Sequence, residues 1–432
     1  MSKYIFKLSN YHAIKNADII LDGITVLSGE NGSGKSTLSR WLYYIVRGTN
    51  EYEDFVEREA ITEVRPLIDS IRRASMILGY DDSIKIAQTR QMINEVKAIG
   101  IEAYQDRFYS IVDSLLSSLY NYLSERRSLI AIRRLSTIFQ MAFSKNDSVS
   151  IVLEKIADKM HRNYEDIIQN TIERKKKRDI AALSTVIRNI ASIGDSWPNE
   201  IYFYEDETSL IAKKEFREPV LLNKAIYLGT QRTIDSLEYV SEFNRLLSNS
   251  YREIPEQLRI IKMRMQHIIE GTISYEEGSS LLMDEPGLFY RRKDGLRIPL
   301  KQAATGITSF AYLLQLLNNG YLQKDTLLII DEPEAHLHPQ WIVEYAKLLV
   351  LLNKKIGIKI LISSHNPDMV SAIQSISRKE GIIDTVHFYV AQKRNEENTQ
   401  YIFKDLGTEI SEIFESFNIA LSRIQMYGEN DE

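Results

Sequence analysis

Apolar residues along the chain follow two rhythms, and the change between them divides it. Leu327 to Ile330 is an unbroken apolar run that stops at Asp331 and Glu332, and such a run suits a parallel strand covered on both faces. Ile24 to Leu27 is a similar apolar-rich stretch, Lys359 to Ser363 (KILIS) another, and the opening MSKYIFKLSN alternates as a half-buried strand does. From about Glu51 to Ser192 the rhythm is helical. Tyr104, Phe108, Ile111, Leu115, Leu119 and Tyr122 recur at three- and four-residue steps, as do Ile61, Val64, Ile68 and Ile71, with Pro66 and Gly79 to Asp82 as punctuation. After it, Ile201 to Tyr204 and Ala225 to Leu228 read as strands, Ile234 to Leu247 and Gln257 to Ile269 as helices, and Leu281 to Pro299 as a hairpin. Lys301 to Asn318 follows, a small-residue turn with Gly306 running into an apolar helix. The expectation is an α/β fold in two sequence-separated parts, 1–50 and 200–432, with an α-helical insertion at 51–199.

Chemistry gathers where the apolar runs end. Gly29 to Thr37 reads GENGSGKST, a match to G-x-x-x-x-G-K-[ST] between a strand and the helical stretch Leu38 to Val46. Glycines there let backbone N–H groups curl around phosphates, Lys35 reaches the β and γ oxygens, Ser36 offers a hydroxyl to Mg²⁺, and the helix N-terminus adds its dipole. Asp331 can hold Mg²⁺ and Glu332 can orient or deprotonate an attacking water, although LLIIDE alone also suits a core strand ending in an acidic turn. A third strand, Lys359 to Ser363, runs out at Ser364-His365-Asn366-Pro367 and leaves an imidazole beside the same phosphates. Asp284-Glu285-Pro286 repeats the D-E-P letters in hairpin-like sequence behind only a short apolar stretch, and is assigned no chemistry.

Composition narrows the setting. The 432 residues carry no cysteine, 44% hydrophobic residues and a net charge of -5, so a large core is available, a disulfide framework is excluded, and no overall basicity points to nucleic acid. The N-terminus lacks a signal-peptide pattern and no apolar run approaches the roughly 18 residues of a membrane span, so the expected location is cytoplasmic. One basic run, Glu173 to Arg178 (ERKKKR), is expected on an exposed helical segment. It reads first as a solvated face and second as a contact for nucleic acid or an acidic partner.

With those motifs in place the chain resembles a soluble ABC-type ATPase of the branch that includes the structural-maintenance-of-chromosomes (SMC), RecF-like and OLD (overcoming lysogenisation defect) proteins. It is similar in particular to stand-alone bacterial ATPases with a D-E-P-E-x-H-L-H-P segment, several of which belong to phage-defence systems such as Septu. The resemblance covers both ends of the chain and leaves the helical insertion unmatched. It implies a P-loop head with a mixed sheet, ATP and Mg²⁺ as ligands, and a nucleotide site formed by Gly29, Asn31, Gly32, Ser33, Gly34, Lys35, Ser36 and Thr37. It further implies Mg²⁺ on Ser36 and Asp331, Glu332 as the catalytic carboxylate, His365 as the switch histidine, and Ala335 to Pro339 as the D-loop. Gln231, in Tyr227-Leu228-Gly229-Thr230-Gln231, is implied as a Q-loop ligand to Mg²⁺ and water. The signature turn falls on Ala304-Thr305-Gly306-Ile307, where Thr305 stands in place of the family's usual serine and no Gly-Gln follows.

In that family two chains close head to tail over two nucleotides, so the resemblance implies a homodimer, open to higher assembly, in which Thr305 and Gly306 cap the γ-phosphate bound by the other chain. The leading expectation for its purpose is a defence or toxin-control ATPase acting on a separate effector, nuclease or toxin, because the chain ends too soon after His365 for the Toprim nuclease domain that OLD proteins carry. The alternative is a RecF- or SMC-like DNA-repair clamp. A transporter subunit ranks below both, since the Leu-Ser-Gly-Gly-Gln signature is absent, and no membrane association is expected.

Overall fold

The computed structural model describes residues 2–79, 82–126, 129–144, 146–191, 197–212, 214–229, 237–248, 254–276, 286–335, 337–393 and 399–414. They form two compact units, one of Met1–Asn50 with Asp179–Glu432 and one of Glu51–Arg178.

The first unit opens with β1 (Tyr4–Tyr11), β2 (Ile14–Leu21), β3 (Ile24–Ser28) and α1 (Lys35–Asn50). The second unit is helical: α2 (Tyr52–Ser75), α3 (Asp82–Ile99), α4 (Gln105–Arg126), α5 (Leu129–Phe139) and α6 (Val149–Lys176). The chain then returns to the first unit with α7 (Ile180–Ala191), β4 (Glu200–Glu205), β5 (Thr208–Ile211), β6 (Lys224–Leu228), α8 (Leu237–Leu247), α9 (Glu256–Ile268) and β7 (Gly271–Glu276). It closes with β8 (Gly287–Arg292), β9 (Arg297–Pro299), α10 (Thr305–Asn318), β10 (Thr326–Asp331), α11 (Pro339–Ile356), β11 (Lys359–Ser364), α12 (Pro367–Glu380), β12 (Val386–Lys393) and β13 (Tyr401–Asp405).

Ten strands make one mixed sheet in the order β5-β4-β1-β2-β13-β12-β3-β11-β10-β6, and β7, β8 and β9 make a smaller antiparallel one. The run β12-β3-β11-β10-β6 is parallel throughout. Every residue of β3, β10 and β11 is buried. Successive strand residues face opposite ways, so both faces are covered, as parallel strands require. α1 packs on β6, β10 and β11, and α11 packs on β11. Helix α10 joins the same core through Phe310, Leu313, Leu314 and Leu317.

Two expectations about the helical part change. The compact unit ends at Arg178 rather than 199, because α7 belongs to the sheet-bearing unit: a Cβ on Gly48 of α1 would lie 2.9 Å from Ile187 and 3.2 Å from Leu183. Pro66 does not punctuate the helix. α2 runs through it, since Ile61, Val64, Ile68 and Ile71 keep one buried stripe on either side, and that burial outweighs the hydrogen bond a proline forfeits. The break comes later, at a 3-10 turn over Met76–Leu78 closed by Gly79 at φ 81°.

The basic run is a solvated face in part, with Lys176 and Lys177 exposed. Arg174 pairs with Glu59 and Glu63, Lys175 with Glu57 at 2.6 Å, and Arg178 with Glu53 at 2.6 Å, so cations at the end of α6 are matched to acids along α2. Among the described residues no helix is long and apolar enough to cross a membrane. The proposed hairpin survives as β8 and β9, while Asp284 and Glu285 lie outside the described residues, as does Gln231.

Candidate nucleotide site

Parallel register sets the site. Ser28 at the end of β3 lies beside Ser364 of β11, and Ser363 lies beside Asp331 at the end of β10. β6 adds Leu228 beside Ile330. The carboxyl ends of four strands thus meet along one edge, where ligands of parallel α/β sheets bind.

The loop from Gly29 to Gly34 follows β3 directly and opens α1. Gly29, Gly32 and Gly34 have φ of 146°, 80° and 96°, a region that side chains rarely enter. Gly34 is required twice over, because a Cβ there would also lie 2.7 Å from Ile14. Asn31 and Gly32 are exposed at the tip and Ser33 is fully buried beneath it. The Lys35 ammonium donates to the carbonyls of Gly29 (2.7 Å) and Glu30 (2.8 Å). Burial pushes Lys35 below the usual lysine range, and Glu332, Asp331, Glu334 and Glu30 pull it back. One turn on, Ser39 Oγ lies 2.6 Å from Ser363 Oγ, which ties α1 to β11.

Asp331 is 4% exposed. Its Oδ2 accepts from the Tyr227 hydroxyl at 2.9 Å, while its Oδ1 is buried with no partner. Glu332 has φ 54°, left-handed for a residue with a side chain, and costs about 1–3 kcal/mol to hold there. Its N–H donates to Ser363 O at 2.8 Å and its own carbonyl accepts from Ala335 N–H at 3.0 Å, which pins the turn. The side chain is a third exposed.

The next carboxylate, Glu334, has no assignment from sequence yet sits at the centre of the arrangement. Its Oε1 accepts from Ser364 Oγ (2.9 Å) and from His365 N–H (2.9 Å), and lies 3.3 Å from His365 Nδ1. Burial pushes its carboxyl above the ordinary range, against the pull of those hydrogen bonds. His365 Nδ1 also stands 3.6 Å from Glu332 Oε1, so the ring is flanked by two carboxylates. The strand can turn outward here because Ser364 Oγ accepts from Asn366 N–H, Asn366 caps α12 by accepting from Met369 N–H, and Pro367 needs no donor.

Buried polar atoms are normally paired. Among the described residues, the buried side-chain atoms without a partner include Ser28 Oγ, Ser33 Oγ, Asp331 Oδ1, Glu334 Oε2 and His365 Nδ1, all along this one edge. No group of three or more His, Cys, Asp or Glu side chains forms a metal cage among the described residues, so a cation here would be held by Asp331 Oδ1, the Ser36 hydroxyl and ligand oxygens.

Thr305 reaches the site from its carboxylate side, with Gly306 next to it in the chain. No hydrogen bond or ion pair among the described residues joins them to the glycine loop. Thr305 opens α10 and lines, with Asp331, Glu332, Pro333 and Ala335, a cavity of about 160 Å³. Gly306 is needed for packing, since a Cβ there would lie 3.1 Å from Trp341 and 3.2 Å from Leu337. The segment expected as the D-loop also has work within the chain: Leu337 N–H donates to Glu334 O at 2.9 Å and His338 caps α11. His336 lies outside the described residues.

Sequence reading missed Tyr227 and Glu334. The available signals were a tyrosine near the end of an apolar strand and a second glutamate after D-E-P. Their partners come from other strands, which a linear reading does not join. Glu334→Ala, which leaves Ser364 and His365 N–H without an acceptor, should cost about 1–3 kcal/mol in thermal unfolding, and Glu334→Gln, which keeps one, should recover most of it. Equal stability of the wild type and the alanine variant would show that Glu334 does not hold the two strand ends together.

Comparison with known proteins agrees with this chemistry. The AAA ATPase domain profile matches residues 5–370. Old nuclease of Escherichia phage P2 is 20% identical over 411 residues, covering 94% of this chain and 63% of the phage protein, so the chain spans less than two thirds of that relative. The energy-coupling factor transporter ATP-binding protein EcfA2 of Clostridium perfringens is 39% identical over 72 residues, 16% of this chain and 25% of that protein. Among solved structures, the Smc head domain derived from Pyrococcus furiosus, bound to the C-terminal domain of ScpA, aligns over 98% of this chain and 100% of its own at 12% identity and a TM-score of 0.35. The SMC head domain from Thermotoga maritima aligns over 94% and 99% at 10% identity and a TM-score of 0.34. The profile spans most of the chain and both of its phosphate motifs, and the chain belongs to the AAA ATPase domain family, as an ATP-hydrolysing member.

Proposed function

We propose that the chain hydrolyses ATP with Mg²⁺ as a head-to-tail dimer in the cytoplasm and couples its nucleotide state to a separate effector, in phage defence or toxin control of the Septu kind. The observation that carries the nucleotide assignment is the concentration of unpaired buried polar atoms at the strand-end edge, which a phosphate and its cation would pair. In this reading the N–H groups of Gly29 to Thr37 cradle the phosphates. Lys35 leaves the loop carbonyls for the β and γ oxygens, and Ser36 and Asp331 hold the cation. Mg²⁺ supplies neutralisation of charge on the transferring phosphoryl group. Glu332, set outward by its left-handed turn, orients and deprotonates the attacking water, and His365, steadied by Glu334, bears on the γ-phosphate.

The dimer follows from the family resemblance, which gives Thr305 and Gly306 to the γ-phosphate bound by a facing chain. Coupling to an effector rests on similarity to Old nuclease. The helical unit, Glu51–Arg178, would be the sensor or docking surface. Three of the five cations in its terminal basic run, Arg174, Lys175 and Arg178, are engaged in intramolecular pairs, which weakens its use as a nucleic-acid contact.

Glu332→Gln should bind ATP at wild-type affinity and lose about 10²–10⁴-fold in turnover, read by steady-state phosphate release; wild-type turnover would remove Glu332 from the chemistry. Thr305→Tyr, chosen because Gly306 is engaged in packing, should keep ATP binding in dilute monomer and lose turnover and ATP-induced dimers by analytical ultracentrifugation. Loss of ATP binding by the monomer would place Thr305 in its own chain's site. ATP-dependent capture of DNA ends with steep salt dependence would favour a repair clamp over an effector switch.

A further inference from the structure

At the opposite ends of the same strands lies a second cavity, of about 480 Å³, within the size range of small-molecule pockets. Lys359, the first residue of β11, and Lys324, two residues before β10, line it with Asn223, Asp325, Val220 and Leu221. The two lysines differ. Lys324 is exposed, whereas Lys359 is 4% exposed, and no hydrogen bond or ion pair joins its ammonium to a described residue. The ring of Tyr4 lies 5.2 Å from its Nζ. Asp22, Glu205 and Asp206 act on this ammonium through space, but no acid is bonded to it.

The carboxylates nearby are engaged with other donors. Asp325 Oδ2 accepts from Asn223 at 3.1 Å, and Asp206 accepts from the backbone N–H of Lys3 at 2.8 Å. Glu205 accepts from the Tyr4 hydroxyl and from the N–H groups of Val220 (2.8 Å) and Leu221 (3.0 Å). That last pair of bonds fixes a bend whose apolar side chains stand in solvent, Val220 at 77% and Leu221 at 54% exposed. The cavity therefore offers a largely buried lysine with no acid bonded to it inside and an apolar lip outside. Burial pushes Lys359 below the usual lysine range, which Asp22, Glu205 and Asp206 only partly oppose.

We propose that this cavity binds a small organic monocarboxylate, with its carboxylate on Lys359 Nζ and its apolar portion against Val220 and Leu221. A monoanion fits better than a dianion because Asp206 and Asp325 also line the cavity and repel excess negative charge. The site is separate from the nucleotide edge and does not depend on the function proposed there.

The test is ¹⁹F NMR of the full chain with trifluoromethyl-bearing aliphatic and aromatic monocarboxylates, alongside the matching primary amides and phosphonates. Carboxylates should bind saturably and amides at least about tenfold more weakly, since a charge-assisted contact is lost. Lys359→Met should weaken carboxylate binding by a similar factor while ATP affinity stays at the wild-type value. Leu221→Asp, at an exposed position where folding is not at stake, should weaken it as well. Absence of saturable carboxylate binding, equal binding of the amides, tighter binding of the phosphonates, or wild-type binding by both variants would each overturn the proposal.

Discussion

Everything at the nucleotide edge depends on the parallel register of β3, β11 and β10. With Ser28 beside Ser364 and Ser363 beside Asp331, a phosphate loop, a carboxylate turn and an imidazole emerge at one place, though long stretches of chain separate them. A slip of one residue would turn each buried side chain to the opposite face, and full burial of all three strands forbids it. The ATPase chemistry is thus a consequence of how the core packs. Hydrogen bonds from Ser39 to Ser363 and from Tyr227 to Asp331 then lock helix α1 and strand β6 onto the same edge.

Stability is spent there as well as stored. Buried polar atoms without partners, a glutamate in left-handed backbone and a lysine withdrawn from solvent all work against folding, and they cluster where Mg²⁺ and ATP phosphates would reverse their effect. Glu334 shows how the scaffold limits the cost. By accepting from both Ser364 and His365 it lets β11 end in a sharp outward turn, so a half-exposed histidine is held by a buried carboxylate. The D-E-P-E segment therefore carries a division of labour: Asp331 inward with one oxygen unpaired, Glu332 outward, and Glu334 beneath the histidine.

What could be read from the sequence was whatever the backbone itself dictates. GENGSGKST is legible because positive φ and close approach to Ile14 demand glycine. LLIIDE is legible because a strand buried on both faces must be continuously apolar. β2, β12 and β13 escaped, since their apolar positions are mixed with polar ones and their pairing joins distant segments. Pro66 misled because burial of a long stripe overrode a local preference, and α7 was misplaced because its periodicity says that it packs, not on what. Tyr227, Glu334 and Lys359 carry ordinary letters whose meaning lies in partners brought, or withheld, by the fold.

The central claim is that the strand-end edge is where nucleotide binds. Hydrogen–deuterium exchange with and without Mg·ATP tests it most directly. Protection is expected in peptides covering residues 29–37, 331–335 and 363–366 together, since one bound nucleotide would bridge all three. Protection confined to other segments, with these three unchanged, would contradict it.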